Sequence, residues 1–216
     1  AAQAFFAAAT SSTPIRIFSI ALGAALCGSP CTGAAEAAAV TERSALPVAS
    51  CELLRNLDVA HTKIALAEPV AAGAYQPPVA DFPFPADYSR LPAFCRVAGS
   101  IRPSADSDIR FELWLPAAGW NGRFLQTGNG GAAGSVVYSS MVEPLGRGYA
   151  VANTDTGHQG GMGDFTWAVG HPEKLADYAY RAVHELTVTA KAITAAYYGR
   201  APAKSYWYGC STGGRQ

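Results

Sequence analysis

Tyr206-Trp207-Tyr208-Gly209-Cys210-Ser211-Thr212-Gly213-Gly214-Arg215-Gln216 is the stretch on which the reading of this chain turns. A bulky aromatic run with the look of a buried strand leads into Gly209-x-Ser211-x-Gly213, the spacing of a turn that holds a serine between a strand and a helix. A residue held at an unfavourable backbone angle there needs neighbours two before and two after it that lack a Cβ, so that strand and helix can pass closely. Such a turn lifts Oγ above the sheet, within reach of a base and of backbone N–H donors. The motif alone recurs by chance; a preceding strand and a following helix make it specific.

Working outward, the alternation over Phe94–Arg102 and Ile109–Pro116 predicts an antiparallel pair joined by the polar turn Ser104–Asp108. Arg123–Thr127 reads as a third strand running into the glycine loop Gly128-Asn129-Gly130-Gly131. Ser139–Leu145 is a brief helix ended by Gly146, and Tyr149–Thr154 is an apolar strand of the kind buried on both faces. Pro172 opens the longest helix, whose apolar face is predicted from Leu175, Tyr178, Ala179, Ala182, Val183, Leu186, Ala190, Ile193 and Tyr197, and Gly199 stops it. Lys204–Tyr208 supplies the strand into the serine turn. Nearer the start, Cys51–Leu57 reads as a short amphipathic helix capped by Ser50, and Pro69–Pro92 as an irregular connection. The class is α/β: the N-terminal part of an α/β-hydrolase fold, with an antiparallel start to a mostly parallel sheet.

The chain has 216 residues, 50% of them hydrophobic and 15% charged, with a formal net charge of +0. A field that weak attracts neither nucleic acid nor an anionic membrane, and a neutral or apolar small ligand suits it better. Arg16 followed by the apolar run Ile17–Leu26 and then small residues reads as an export signal, too short to span a bilayer. The expected organisation is residues 1–35 as signal peptide and upstream sequence, 36–50 as a flexible mature N-terminus, and 51–216 as a partial catalytic domain ending at the serine turn. A secreted or periplasmic location follows, in an oxidising compartment. There Cys51 and Cys95 can form a disulfide, which leaves Cys210 as a buried thiol or as half of a pair completed elsewhere. Nothing in the residues indicates the number of subunits.

Gly209–Gln216, Trp120-Asn121-Gly122-Arg123-Phe124, the loop Gly128–Gly131 and Thr154-Asp155-Thr156-Gly157-His158 together resemble stretches of the tannase and feruloyl esterase family, in the same order and from about Cys51 to Gln216. That family also includes the enzyme that hydrolyses mono(2-hydroxyethyl) terephthalate. The resemblance implies a serine esterase acting on a small aromatic ester, with Ser211 as nucleophile and the backbone N–H groups of Thr212 and Gly128 as the oxyanion hole. It also implies that Cys210 pairs with a downstream Cys beside the catalytic His. A lid domain, able to carry Ca²⁺, and the C-terminal half of the fold would then lie outside this chain. No cofactor is implied within it, and the chain by itself is expected to be inactive.

The fold order of nucleophile, acid and then His leaves no base among the residues before Ser211. His158 and Asp155 are therefore expected to serve loop structure, His184 the polar side of the long helix, and His61 and His171 the surface or a cap. Metal binding has no support, because no His or Cys pair has ligand spacing. Two other functions remain open on the residues alone. One is a non-catalytic binding module that holds phenolics or carbohydrate with Trp114, Trp120, Trp167 and Trp207. The other is acyl transfer to an alcohol by the same serine.

Overall fold

The computed structural model describes residues 46–79 and 85–216. The expected export segment, residues 1–35, and most of the 36–50 stretch lie outside the described residues. Strands β1 (Thr62–Val70), β2 (Phe94–Ile101), β3 (Ile109–Pro116), β4 (Arg123–Thr127), β5 (Ala150–Thr154) and β6 (Lys204–Tyr208) form one sheet in the order β1-β2-β3-β5-β4-β6. The first three pairings along that order are antiparallel, and β4 is parallel to both β5 and β6. The antiparallel opening and parallel continuation match the sequence reading. β1 does not: Pro69 and Val70 were expected to open an irregular segment, yet both pair with β2. β1 pairs on one side only, so a proline that cannot donate costs no rung there.

Side-chain alternation divides the core between the two faces of the sheet. Phe111, Leu113 and Leu115 of β3 and Ala150 and Ala152 of β5 face helix α3 (Ala182–Tyr198) and its residues Leu186, Ala190 and Ile193. Trp114 and Val151, between them in sequence, face helix α1 (Ser139–Gly146) with Met141 and Leu145. β5 is thus buried along its whole length, as its apolar composition predicts. One charge goes inside with the core. Glu112, 2% exposed, accepts from Arg96 Nε at 3.1 Å, from Arg96 Nη2 at 2.5 Å and from Trp114 Nε1 at 3.2 Å. Burial pushes its carboxyl up and the guanidinium pulls it back; the two-point contact is that of an ion pair.

The long helical stretch departs from its predicted phase. Helix α2 (Pro172–Ala176) runs into a wider π turn, Asp177–Arg181, before α3 begins. The Ala182 N–H reaches back to the Asp177 carbonyl, a bond that encloses one residue more than the corresponding bond of an α-helix. That insertion swings Asp177 onto the buried face and turns Leu175 and Ala179 outward. Asp177 is held there by Arg181 Nε at 2.5 Å, while Gly199 ends the helix at φ 68° as expected. At the start of the chain, Glu52–Asn56 forms a tight 3₁₀ turn rather than an α-helix, preceded by Cys51 with no side-chain cap, so Ser50 does not take that role.

The turn and β1 are fastened to β2 by the disulfide Cys51–Cys95, which closes a segment with a sequence separation of 44. A loop of that length is worth about 4 kcal/mol in the chain-entropy account. Cys51→Ala with Cys95→Ala should lower the unfolding free energy by about 2–4 kcal/mol. Urea denaturation of the oxidised protein and of the variant provides the comparison, and equal midpoints would count against this role.

Candidate active site at the serine turn

In this sheet β4 lies between β5 and β6, so successive parallel strands leave it in opposite directions, with α1 and α3 crossing on opposite faces. In open α/β sheets such a switch point leaves a crevice at the carboxyl ends of the strands, where ligands bind. The glycine loop after β4 and the serine turn after β6 meet there.

Ser211 has φ 57° and ψ −122°, a left-side conformation that costs about 1–3 kcal/mol in a residue with a Cβ. Thr212 begins the short helix α4 (Thr212–Arg215) immediately after it. A Cβ on Gly209 would lie 2.4 Å from the Gly213 carbonyl oxygen, and one on Gly128 would lie 2.6 Å from the Gly213 Cα. Strand, helix and glycine loop therefore touch backbone to backbone, which explains why glycine occupies all three positions.

Side chains then lock this contact. Trp207 Nε1 donates to the Gly213 carbonyl at 2.8 Å, and Thr212 Oγ1 donates to the Gly131 carbonyl at 2.6 Å. Arg215 donates to the carbonyls of Ala179 at 3.0 Å and Tyr178 at 3.2 Å, with its guanidinium 4.6 Å from the centre of the Tyr178 ring. Gln216 spans to the loop: its Oε1 accepts from the Asn129 N–H at 3.0 Å and its Nε2 donates to Asn129 Oδ1 at 3.3 Å. None of Trp207, Arg215, Asn129 and Gln216 was singled out from the sequence for these contacts. The amides beside a glycine loop and one turn beyond a serine were the available signal.

Gly128 changes its part. Its N–H donates to the Tyr208 carbonyl at 2.9 Å as a continuation of the β4–β6 ladder, so the oxyanion role expected of it is closed. Of the seven N–H groups from Gly128 to Gly134, those of Asn129, Ala132, Ala133 and Gly134 are also engaged. The N–H groups of Gly130 and Gly131 have no partner among the described residues. On the other side of the turn, the Thr212 N–H stands at the first position of α4, where a helix offers no internal acceptor.

Two expectations about burial are corrected. All five residues of β6 are exposed rather than buried, because β6 pairs with β4 alone and the described elements cover its faces only in part. Cys210 is likewise an exposed thiol, free among the described residues, which removes the buried-thiol alternative.

The other candidates fall where loop structure was expected. His158 has a nitrogen on the Ala132 carbonyl at 2.8 Å and stacks 3.7 Å from Trp167; burial holds its pKa below the usual range. His61, His171 and His184 are exposed, and none of the four histidines bonds Ser211. Asp155 accepts from the N–H groups of Arg110 and Gly157, both at 2.9 Å. Trp114 and Trp120 are fully buried, and each of the four tryptophan N–H groups already has a partner within the protein. An aromatic platform of all four is therefore excluded. A cavity of about 500 Å³ opens along β2 and β3, between Phe111, Arg110, Tyr138 and Asp155, and Ser211 is not in its wall. Among the described residues no three His, Cys, Asp or Glu side chains gather to hold a metal ion.

The family model described as tannase and feruloyl esterase matches residues 95–216, more than half of the chain. The chain belongs to the tannase and feruloyl esterase family. An uncharacterized esterase of Xanthomonas campestris pv. campestris is 44% identical over 167 residues, covering 77% of this chain and 28% of that protein. A probable feruloyl esterase B-1 of Neosartorya fischeri is 41% identical over 143 residues, covering 66% and 26%. Among solved structures, feruloyl esterase B from Aspergillus oryzae superposes with a TM-score of 0.68 at 38% identity, and tannin acyl hydrolase from Aspergillus niger with 0.56 at 26%. Each covers 77% of this chain and is itself covered over 32%. The chain thus spans between a quarter and a third of the length of these family members.

Asp155 gives this corner of the tannase and feruloyl esterase fold a pH dependence. Burial, opposed by its two N–H donors, raises its pKa from 3.8 to about 7. The unfolded chain releases this proton first as pH rises, so the folded state holds more protons between about pH 4 and pH 7. Stability should fall across that window by an amount on the order of a few kcal/mol. Asp155→Asn should flatten this part of the profile, read as urea midpoint against pH; an unchanged slope would remove Asp155 as its source.

Proposed function

We propose that this chain carries the nucleophile and oxyanion-binding part of a secreted carboxylic ester hydrolase acting on small aromatic esters of the feruloyl or galloyl type. The observation that carries the reading is Ser211 at φ 57° beside the glycine loop and the Thr212 N–H, which has no partner among the described residues. Ser211 Oγ attacks the ester carbonyl and passes its proton to a histidine base. The carbonyl oxygen gains negative charge and accepts from the Thr212 N–H and from Gly130 or Gly131, the loop donors left open by the internal bonding. Collapse of the tetrahedral intermediate breaks the bond to the alcohol oxygen, which takes the proton from the histidine. Water, activated by the same base, then attacks the acyl-enzyme, releases the aromatic acid and restores Ser211.

The four histidines of this chain are engaged elsewhere or exposed, so the proposal assigns the base and its carboxylate partner to sequence outside it. Cys210 is exposed one residue before the nucleophile, a position suited to a disulfide with a cysteine beside that histidine. The Cys51–Cys95 disulfide supports an oxidising, extracytoplasmic compartment. Family membership supports the ester chemistry, and the relatives bearing the name feruloyl esterase support an aromatic acyl group.

The full-length protein should react at Ser211 with a fluorophosphonate probe and hydrolyse methyl ferulate or methyl gallate. Ser211→Ala should abolish labelling and reduce kcat by about 10⁴-fold or more. Turnover that survives this substitution would overturn the serine mechanism. Product analysis with an added alcohol divides hydrolysis from acyl transfer, and a transfer product in place of the free acid would overturn the hydrolase reading.

A further inference from the structure

The glycine loop needs a holder. Gly128 is pinned by the ladder, but Gly130 lies in open space and the loop has few side chains with which to fix itself. Asn129 is the exception, 4% exposed and bonded on every polar group whose orientation matters. Its Nδ2 donates to the carbonyls of Ser135 at 2.9 Å and Thr154 at 2.8 Å. Two carbonyl acceptors require the NH₂ end of the amide on that side, so Oδ1 must face the other way, toward Gln216. The Gln216 amide is then oriented as well: its NH₂ meets Asn129 Oδ1 and its oxygen meets the Asn129 N–H.

This closed pair joins two backbones. Gln216 continues the turn of α4, its N–H bonded to the Thr212 carbonyl at 2.9 Å, and Thr212 carries one open donor. Asn129 immediately precedes Gly130 and Gly131, the two residues of the loop with an open donor. We propose that Gln216 is a positioning residue for the esterase reaction, its side-chain amide clasping Asn129 so that the loop and helix donors converge on one oxygen. It touches no substrate and acts through the spacing of the two donors. A hydrogen-bond donor aimed at a developing oxyanion acts only where that oxygen arrives, so a small shift of the loop lowers kcat and leaves ground-state binding largely intact.

This inference rests on Ser211 being the nucleophile, and the experiment separates the two. In the full-length protein, Gln216→Ala and Gln216→Met remove the clasp, the second keeping side-chain length and helix preference. Both should lower kcat for methyl ferulate by about 10- to 100-fold, with KM within about twofold and the melting temperature nearly unchanged. Inactivation by a fluorophosphonate, whose phosphoryl oxygen occupies the same donors, should slow by a similar factor. Gln216→Glu keeps the acceptor for the Asn129 N–H but sets a carboxylate against Asn129 Oδ1, and should not restore the rate. Wild-type kcat in Gln216→Met, or a kcat loss matched by a rise in KM and a fall in melting temperature, overturns the positioning role. Activity persisting in Ser211→Ala overturns instead the nucleophile on which it rests.

Discussion

A single backbone conformation sets the terms for the carboxyl-terminal end of this sheet. Ser211 at φ 57° turns the chain so tightly that β6 and α4 run back past each other at backbone contact, and only residues without a Cβ fit between them. The same contact brings Gly213 against Gly128, which joins the turn after β6 to the loop after β4. An angle costing about 1–3 kcal/mol persists only where neighbours over-determine it. Here the neighbours are the Trp207 indole on the Gly213 carbonyl, the Thr212 hydroxyl on the Gly131 carbonyl, and the Arg215 guanidinium on the carbonyls of Tyr178 and Ala179. Strain at the serine and rigidity around it are two sides of one arrangement.

Below that turn, two buried asparagines draw the ends of β4 and β5 together. Asn153 donates to the Thr127 carbonyl at 2.8 Å, and Asn129 donates to the Thr154 carbonyl at 2.8 Å. Each amide satisfies backbone groups that leave the sheet and would otherwise be buried without partners. The ends of β4 and β5 beside the serine turn are thus tied by neutral amide groups.

Much of this was legible in the sequence wherever local pattern and tertiary role agree. β2, β3, β4 and β5 announce themselves by alternation or continuous apolarity, and Gly209-x-Ser211-x-Gly213 announces the strained turn because no other residue type fits it. β1 was not assigned from the sequence, and its last two residues were read as the start of a loop because of Pro69, which an edge strand tolerates. Gly128 was misread in function because whether an N–H is free depends on the register of β6 against β4, a long-range pairing that residue spacing does not reveal. The aromatic composition of β6 suggested burial, but burial depends on what packs against a strand. The apolar phase of the long helix failed ahead of Ala182 because one inserted residue moved Asp177 inward.

That inserted residue also makes the anchoring of the turn a matter of counting. The carbonyls that receive Arg215 belong to the π turn, whose backbone is wound more loosely than the helices flanking it. Residue number between Pro172 and Ala182 acts as a vernier: one residue fewer would advance the segment before the break by about 100° relative to α3. Asp177 would leave the core and the socket for Arg215 would rotate away. The grip on the serine turn is therefore encoded by the length of a segment more than thirty positions upstream, where a deletion would matter more than most substitutions.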